Sequence, residues 1–184
     1  MIKSNQMNYI STCVSPIGDI TLGSDGESLI GLWFNGQKYD RSEFKGKAPE
    51  FADLPVFDEA KEWLNVYFQG KMPSFTPRIK VTGSEFKRLV ADILLAIPFG
   101  CTTTYGKIAK EAAKRLGKQS MSAQAVGGAV ARNPIALIIP CHRVVGAKGG
   151  LTGYAGGIER KKFLLNLEHG DSSPLFTHRQ TVAF

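Results

Sequence analysis

Residues 102–134 read TTTYGKIAKEAAKRLGKQSMSAQAVGGAVARNP, and this stretch decides the architecture of the second half of the chain. Ile108, Ala109, Ala112, Ala113 and Leu116 recur at helical spacing, with Gly117 as the punctuation that ends the helix. After a basic linker, Ser122 is placed to cap a second short helix, 123–131. That helix must stop by Asn133-Pro134, because the residue before a proline is driven out of the helical region. Two short helices joined by a turn in a basic region suggest helix-turn-helix DNA binding. The second helix offers Ala123, Ala125, Gly127, Gly128 and Ala129 where a major-groove reader carries long polar side chains. Small residues let a backbone approach closely, which suits a minor-groove contact governed by shape and phosphates. The same composition also suits a tight packing helix, and spacing alone leaves both readings standing.

Immediately downstream lies 135–145, IALIIPCHRVV. An apolar run, Ile135 to Ile139, stops abruptly at Pro140 and is followed by Cys141, His142 and Arg143. A thiolate is the reactive form of cysteine, and a neighbouring histidine is expected to draw the thiol pKa down from about 8.5 toward neutrality. Cysteine is also a common small core residue. Three polar or reactive groups in a row after a buried run argue against packing alone, since buried charge needs a partner.

Upstream, Ser84 caps the clearest helix of the chain, with Phe86, Leu89, Val90, Ile93, Leu94 and Ile97 on one face and Pro98 and Gly100 ending it. A Thr-Thr-Thr-Tyr-Gly turn is expected to lead from it into the next helix. Residues 71–83, with Pro73, Pro77 and Gly83, form the boundary with a different N-terminal half. That half starts as an antiparallel meander. Ile10, Thr12 and Val14 share one phase, Ile20 and Leu22 form a second strand, and Ile30, Leu32 and Phe34 a third; Ser15–Gly18 and Ser24–Gly26 supply the turns. The polar 37–50 segment reads as a loop. Val56, Ala60, Trp63, Leu64 and Tyr67 follow as a helix closed by Gly70, and Cys13 reads as core. The division is 1–82, a scaffold domain; 83–170, a DNA-binding domain carrying the thiol; and 171–184, a tail.

Charge follows the same boundary. Residues 1–85 hold 9 Lys and Arg against 11 Asp and Glu, whereas residues 86–184 hold 14 against 5. A one-sided basic half is the footprint of a nucleic-acid partner. Cys13, Cys101 and Cys141 include no close pair, which suits a reducing compartment, and the absence of a signal-peptide core or a long apolar run makes the cytoplasm the expected location. With no Cys-x-x-Cys and all three histidines in the last third, no structural zinc site is expected.

Tyr105-Gly106, Ala125–Ala129, Asn133-Pro134, Ile138–Val145 and Gly153–Gly157 closely resemble the O6-alkylguanine-DNA alkyltransferases, also called methylated-DNA–protein-cysteine methyltransferases. The similarity is strong over 84–168, and Ser15–Gly23 fits the family's more variable N-terminal domain. The resemblance implies an α+β fold: a small N-terminal antiparallel sheet with a helix, RNase H-like, then a mainly helical, winged-helix-like domain with the helix-turn-helix. It implies a DNA repair protein that flips O6-alkylguanine out of duplex DNA and moves the alkyl group irreversibly onto its own Cys141, once. It further implies a monomer with no cofactor and no membrane partner, acting on double-stranded DNA, with O4-alkylthymine as an alternative lesion.

The same resemblance implies roles for individual residues. Cys141 is the acceptor, His142 deprotonates it through a bridging water, Glu168 orients the imidazole, and Asn133 braces the turn ahead of the active segment. Without the resemblance, Glu168 reads as a solvated surface acid. Tyr105 pushes the target phosphate and donates to the base, Tyr154 packs against it, and the backbone of Cys141, Val144 and Ala155 reads its edge. Ala123, Gln124, Ala125 and Gly127 face the DNA, while Arg143 makes structural ion pairs. Gln124 stands where the family often has an arginine finger, and Ala155 where many relatives carry serine; zinc ligands seen in some N-terminal domains are absent.

Two other classes compete. A non-enzymatic damage-sensing binder predicts lesion binding without alkylation. A Cys-His hydrolase or acyltransferase needs turnover on an ester or amide and leaves the basic, small-residue helix unexplained.

Overall fold

A computed structural model of the chain describes residues 9–39 and 50–170. They form two compact units. One holds the described residues up to Val81 together with Pro134–Ala136; the other holds Thr82–Asn133 and the described residues from Leu137 onward. Most of the expected 37–50 loop and the whole 171–184 tail lie outside the described residues.

In the first unit, β1 (Tyr9–Cys13), β2 (Ile20–Ser24) and β3 (Leu29–Phe34) form the antiparallel meander that the turn residues dictate. Ser15 shapes the first turn by accepting from the Ile17 N–H at 3.3 Å and donating to the Gly18 carbonyl. Asp25 shapes the second by accepting from the N–H groups of Glu27 and Ser28. The sheet is not purely antiparallel. Its order is β3-β2-β1-β4, and β4 (Glu50–Phe51) runs parallel to β1, so the sheet is mixed; a parallel neighbour requires a long return connection, and the stretch after β3 supplies it.

The outer edge of β3 is paired as well. The Leu29 N–H donates to Arg78 O at 2.7 Å and the Lys80 N–H to Leu29 O; the Leu32 N–H donates to Pro134 O at 2.8 Å and the Ala136 N–H to Leu32 O. The start of the apolar run 135–139 is thereby an added β partner of β3.

Helix α1 (Pro55–Phe68) buries Val56, Ala60, Trp63, Leu64 and Tyr67 as their spacing predicts, and Gly70 follows at φ +74°. The strands depart from simple alternation. Every residue of β2 and β3 is buried, as in strands covered on both faces. Small residues make this fit: a Cβ on Gly31 would lie 1.8 Å from the Trp33 ring, so the indole occupies the space a side chain would take. The Ile10, Thr12, Val14 phase does not hold either. Ile10 is buried, Thr12 is exposed, and Val14 lies past the end of β1 with 87% of its surface in solvent. Cys13 is half-buried.

The second unit is built on α2 (Glu85–Leu95), α3 (Tyr105–Arg115) and α4 (Ala123–Ala131), which pack on one another, and it is completed by α5 (Ile158–His169). Ser84, Thr104 and Ser122 each accept from N–H groups of the first turn, of Lys87, Lys107, and Gln124 with Ala125 respectively. Such a cap contributes about 1 kcal/mol. Ile97 is buried just beyond the end of α2.

The expected turn at 102–106 contains a strand. β5 (Thr103–Thr104) pairs in parallel with β6 (Val144–Val145), and β-branched residues on both sides favour that conformation. This pairing fixes the chain on the far side of Cys141. Among the described residues, no helix is long and apolar enough to cross a membrane.

Candidate active site

Cys141, His142 and Arg143 form a single 3-10 turn between the apolar run and β6. Pro140 ends the extended stretch, the Cys141 N–H closes back on Ile139 O at 2.8 Å, and the Arg143 N–H on Pro140 O at 3.0 Å. Asn133 spans this turn from below, donating from Nδ2 to Ile139 O at 2.8 Å and hydrogen-bonding the thiol. Leu137 sits between them in the left-handed region, φ +67°, a conformation costly for a residue with a Cβ.

All three side chains of the turn are buried. His142 Nε2 lies 2.6 Å from Glu168 Oε1. Glu168 comes from the last turn of α5, reached along a face on which Lys161, Leu164, Leu165 and Glu168 are all buried. Its carboxylate is fully engaged: Arg143 donates from Nε to Oε2 at 2.8 Å and from Nη2 to Oε1 at 3.0 Å, and the Gly100 N–H donates to Oε2 at 3.0 Å. Arg143 is itself tied to Ile97 O at 2.6 Å, with its guanidinium over the Phe99 ring.

The electrostatics follow from burial. Burial opposes the Glu168 charge, but His142 and Arg143 outweigh it and hold the carboxyl far below the usual range. For His142, burial is the largest influence and lowers its pKa despite Glu168. The arrangement is therefore an anionic Glu168 balanced by a cationic Arg143, with a neutral imidazole. A neutral imidazole donating Nε2–H to Glu168 keeps the lone pair on Nδ1, so that nitrogen is the proton acceptor.

The thiol corrects an expectation. Burial raises the Cys141 pKa, only partly offset by Asn133, the charge of Lys161 and nearby N–H groups, so the resting group is a neutral thiol. Adjacency in sequence to His142 does not lower it, because that histidine carries no charge in its buried setting.

Tyr154 meets His142 edge-on, ring centroids 6.5 Å apart at 78°. Its hydroxyl is buried without a hydrogen-bond partner among the described residues, and burial holds it well above the ordinary phenol range as a donor. Ala155 follows it in the loop, half-buried. Tyr105, the first residue of α3, donates toward Thr152 O and Gly153 O, each at 3.2 Å. Gly127 of α4 lies beside it: a Cβ there would come within 3.9 Å of the Tyr105 ring. Ala123, Gln124 and Ala125 are exposed in the first turn of α4.

Contacts thus join Asn133, Cys141, His142, Tyr154 and Glu168 around the thiol. Tyr105 and Gly127 form a second group, and Ala123 to Ala125 stand at the surface. Sequence reasoning missed Lys161. It is fully buried, and its Nζ donates to Val144 O at 2.5 Å and Thr152 O at 2.9 Å, pinning β6 to the loop that carries Tyr154. The Val144 carbonyl keeps one further lone pair for another donor. The signal was present in the spacing 161, 164, 165, 168, which is one face of a helix. Among the described residues, no cluster of three or more His, Cys, Asp or Glu could hold a metal ion.

Comparison with known proteins matches residues 85–170 to the family described as 6-O-methylguanine DNA methyltransferase, DNA binding domain, and residues 8–81 to its ribonuclease-like domain. The methylated-DNA–protein-cysteine methyltransferase of Mycobacterium tuberculosis is 42% identical over 88% of this chain and 93% of its own. That of Methanosarcina acetivorans is 43% identical over 87% and 97%. Among solved structures, Mycobacterium tuberculosis OGT in complex with DNA superposes with a TM-score of 0.74 at 40% identity, covering 88% of this chain and 92% of that one. An O6-methylguanine DNA methyltransferase from Methanococcus jannaschii gives 0.58 at 28% identity, covering 92% and 99%.

Proposed function

The chain belongs to the 6-O-methylguanine DNA methyltransferase family, and from that premise we propose that it repairs O6-alkylguanine in duplex DNA by moving the alkyl group onto Cys141. The observation that carries this reading is a buried thiol followed directly by a neutral histidine whose Nε2 is held by Glu168 at 2.6 Å. This is the nucleophile, base and orienter arrangement that thiol chemistry needs.

Guanine O6 within a duplex cannot reach a thiol buried to 5% exposure, so the base is extruded at a cost of a few kcal/mol. Tyr154, with its buried free hydroxyl and its ring edge-on to His142, is the wall against which the base stacks. Tyr105 pushes the phosphate and offers its hydroxyl, and the Ala123–Gly127 face of α4 meets the minor groove.

The proton leaves Sγ for Nδ1 of His142 through a bridging water, and Glu168 stabilises the imidazolium. The thiolate attacks the alkyl carbon in line with its bond to O6; the S–C bond forms, the C–O bond breaks, and the guanine takes back a proton. S–H and O–CH3 become S–CH3 and unmodified guanine. The thioether cannot be displaced under these conditions, so each molecule acts once, as a monomer without a cofactor. The three free cysteines suit the reducing cytoplasm, where we place it.

The test is intact mass after incubation with duplex containing O6-methylguanine. A stoichiometric gain of one CH2, mapped to Cys141, supports the proposal. An unchanged mass with a reagent-accessible thiol rules it out.

A further inference from the structure

A groove of about 700 Å³ runs along the outer side of α3, inside the second unit, from Gly106 to the loop that leads into Ala123. Its floor is Ala109 and Ala113, and four lysines line it: Lys107, Lys110, Lys114 and Lys118. On a helix these fall at i, i+3, i+7 and i+11, within one narrow arc, so the cations form a row. The single acid of the wall, Glu111, is held by Arg115 at 2.7 Å, which leaves the row's charge uncancelled locally. Lys110, Lys114 and Lys118 are exposed, and none is in an ion pair among the described residues. Placing like charges in a row opposes folding slightly, so the row calls for a polyanion outside the chain.

Position identifies which one. The groove opens at Gly106, next to Tyr105, and at Ala123, next to Gln124, so it continues the face assigned to DNA. The first helix of a helix-turn-helix crosses the sugar–phosphate backbone. Lys107 to Lys114 spans ~10 Å of helix, which matches about three phosphates at ~3.4 Å of axial rise on one strand. We propose that this groove is a second DNA contact, gripping the phosphate backbone that flanks the lesion, and that its lysines supply cationic grip that Gln124 does not. The proposal rests on the DNA-repair reading above.

The experiment compares full-length protein with the triple variant Lys110→Gln/Lys114→Gln/Lys118→Gln in binding to unmodified duplex across a range of salt. A control carries the same charge change on exposed cations of the other unit, Lys71→Gln/Arg78→Gln/Lys80→Gln, and a third protein keeps the charge as Lys→Arg at the three groove positions. Removing one lysine from its phosphate lowers the slope of log affinity against log salt by about 0.9. The groove variant should therefore bind with a slope shallower by roughly two to three units, with the arginine variant and the control close to wild type. An unchanged slope overturns the proposal, as does an equal loss in the control or in the arginine variant. Transfer to Cys141 from O6-benzylguanine as a free base should match wild type in all proteins. Absence of transfer in the wild-type protein would overturn the repair reading instead, while the salt slopes bear on the groove alone.

Discussion

His142 and Glu168, 26 residues apart in sequence, meet at 2.6 Å with both side chains shut off from solvent, and Arg143 grips the same carboxylate through two nitrogens. Removing the Glu168 charge leaves Arg143 buried without its counter-ion. Glu168→Gln should therefore cost about 3–5 kcal/mol of stability in denaturant unfolding. Transfer to Cys141 should slow by about 10²-fold or more, the contribution of a positioned general base.

Acid should weaken the fold in two steps. The His142 pKa is lower in the folded protein than in the unfolded chain, so the unfolded state takes up the proton first and stability falls as pH drops below about 6.5. Glu168 is likewise depressed, so its stabilisation is complete above about 4.3 and is lost below it. His142→Gln should flatten the first step in a stability–pH profile and leave the second.

The neutral thiol predicts sluggish reagent chemistry. Iodoacetamide modification of Cys141 in DNA-free protein should keep rising above pH 9, because burial raises the thiol pKa. Asn133→Ala should push that profile higher still. It should also cost about 1–3 kcal/mol, since the buried Ile139 carbonyl loses its 2.8 Å donor.

Gly31→Ala tests the scaffold. With a Cβ 1.8 Å from the Trp33 ring, the indole has to leave its place. The substitution should lower stability by about 1–3 kcal/mol and shift the tryptophan emission, with transfer from a free-base substrate retained at low temperature.

Gln124 is exposed in the first turn of α4. Gln124→Arg should tighten duplex binding and steepen its salt dependence by about one unit; binding that stays the same across salt would count against a finger role.

Much of this was legible in the residues. Ser84 and Ser122 mark helix starts because their hydroxyls satisfy first-turn N–H groups, and the apolar spacing of α1, α2 and α3 names the buried faces. What stayed hidden depends on long-range pairing. Thr103–Thr104 read as a turn because its partner, Val144–Val145, lies far along the chain. The mixed sheet was missed for the same reason, since β4 finds β1 only in space. In α5, Lys161 and Glu168 occupy the buried stripe, so charge masked the amphipathic pattern; only the family resemblance singled out Glu168, and nothing singled out Lys161. The pKa of Cys141 was misjudged because desolvation, which no sequence spacing reports, dominates it.

The backbone N–H of Gly100 closes on Glu168 across 68 residues of chain. Such a contact forms only when α5 has been made and has docked, so during synthesis the thiol exists well before its base is set. A protein spent in a single reaction is replenished by new translation, and its supply to damaged DNA is timed by the arrival of its last helix.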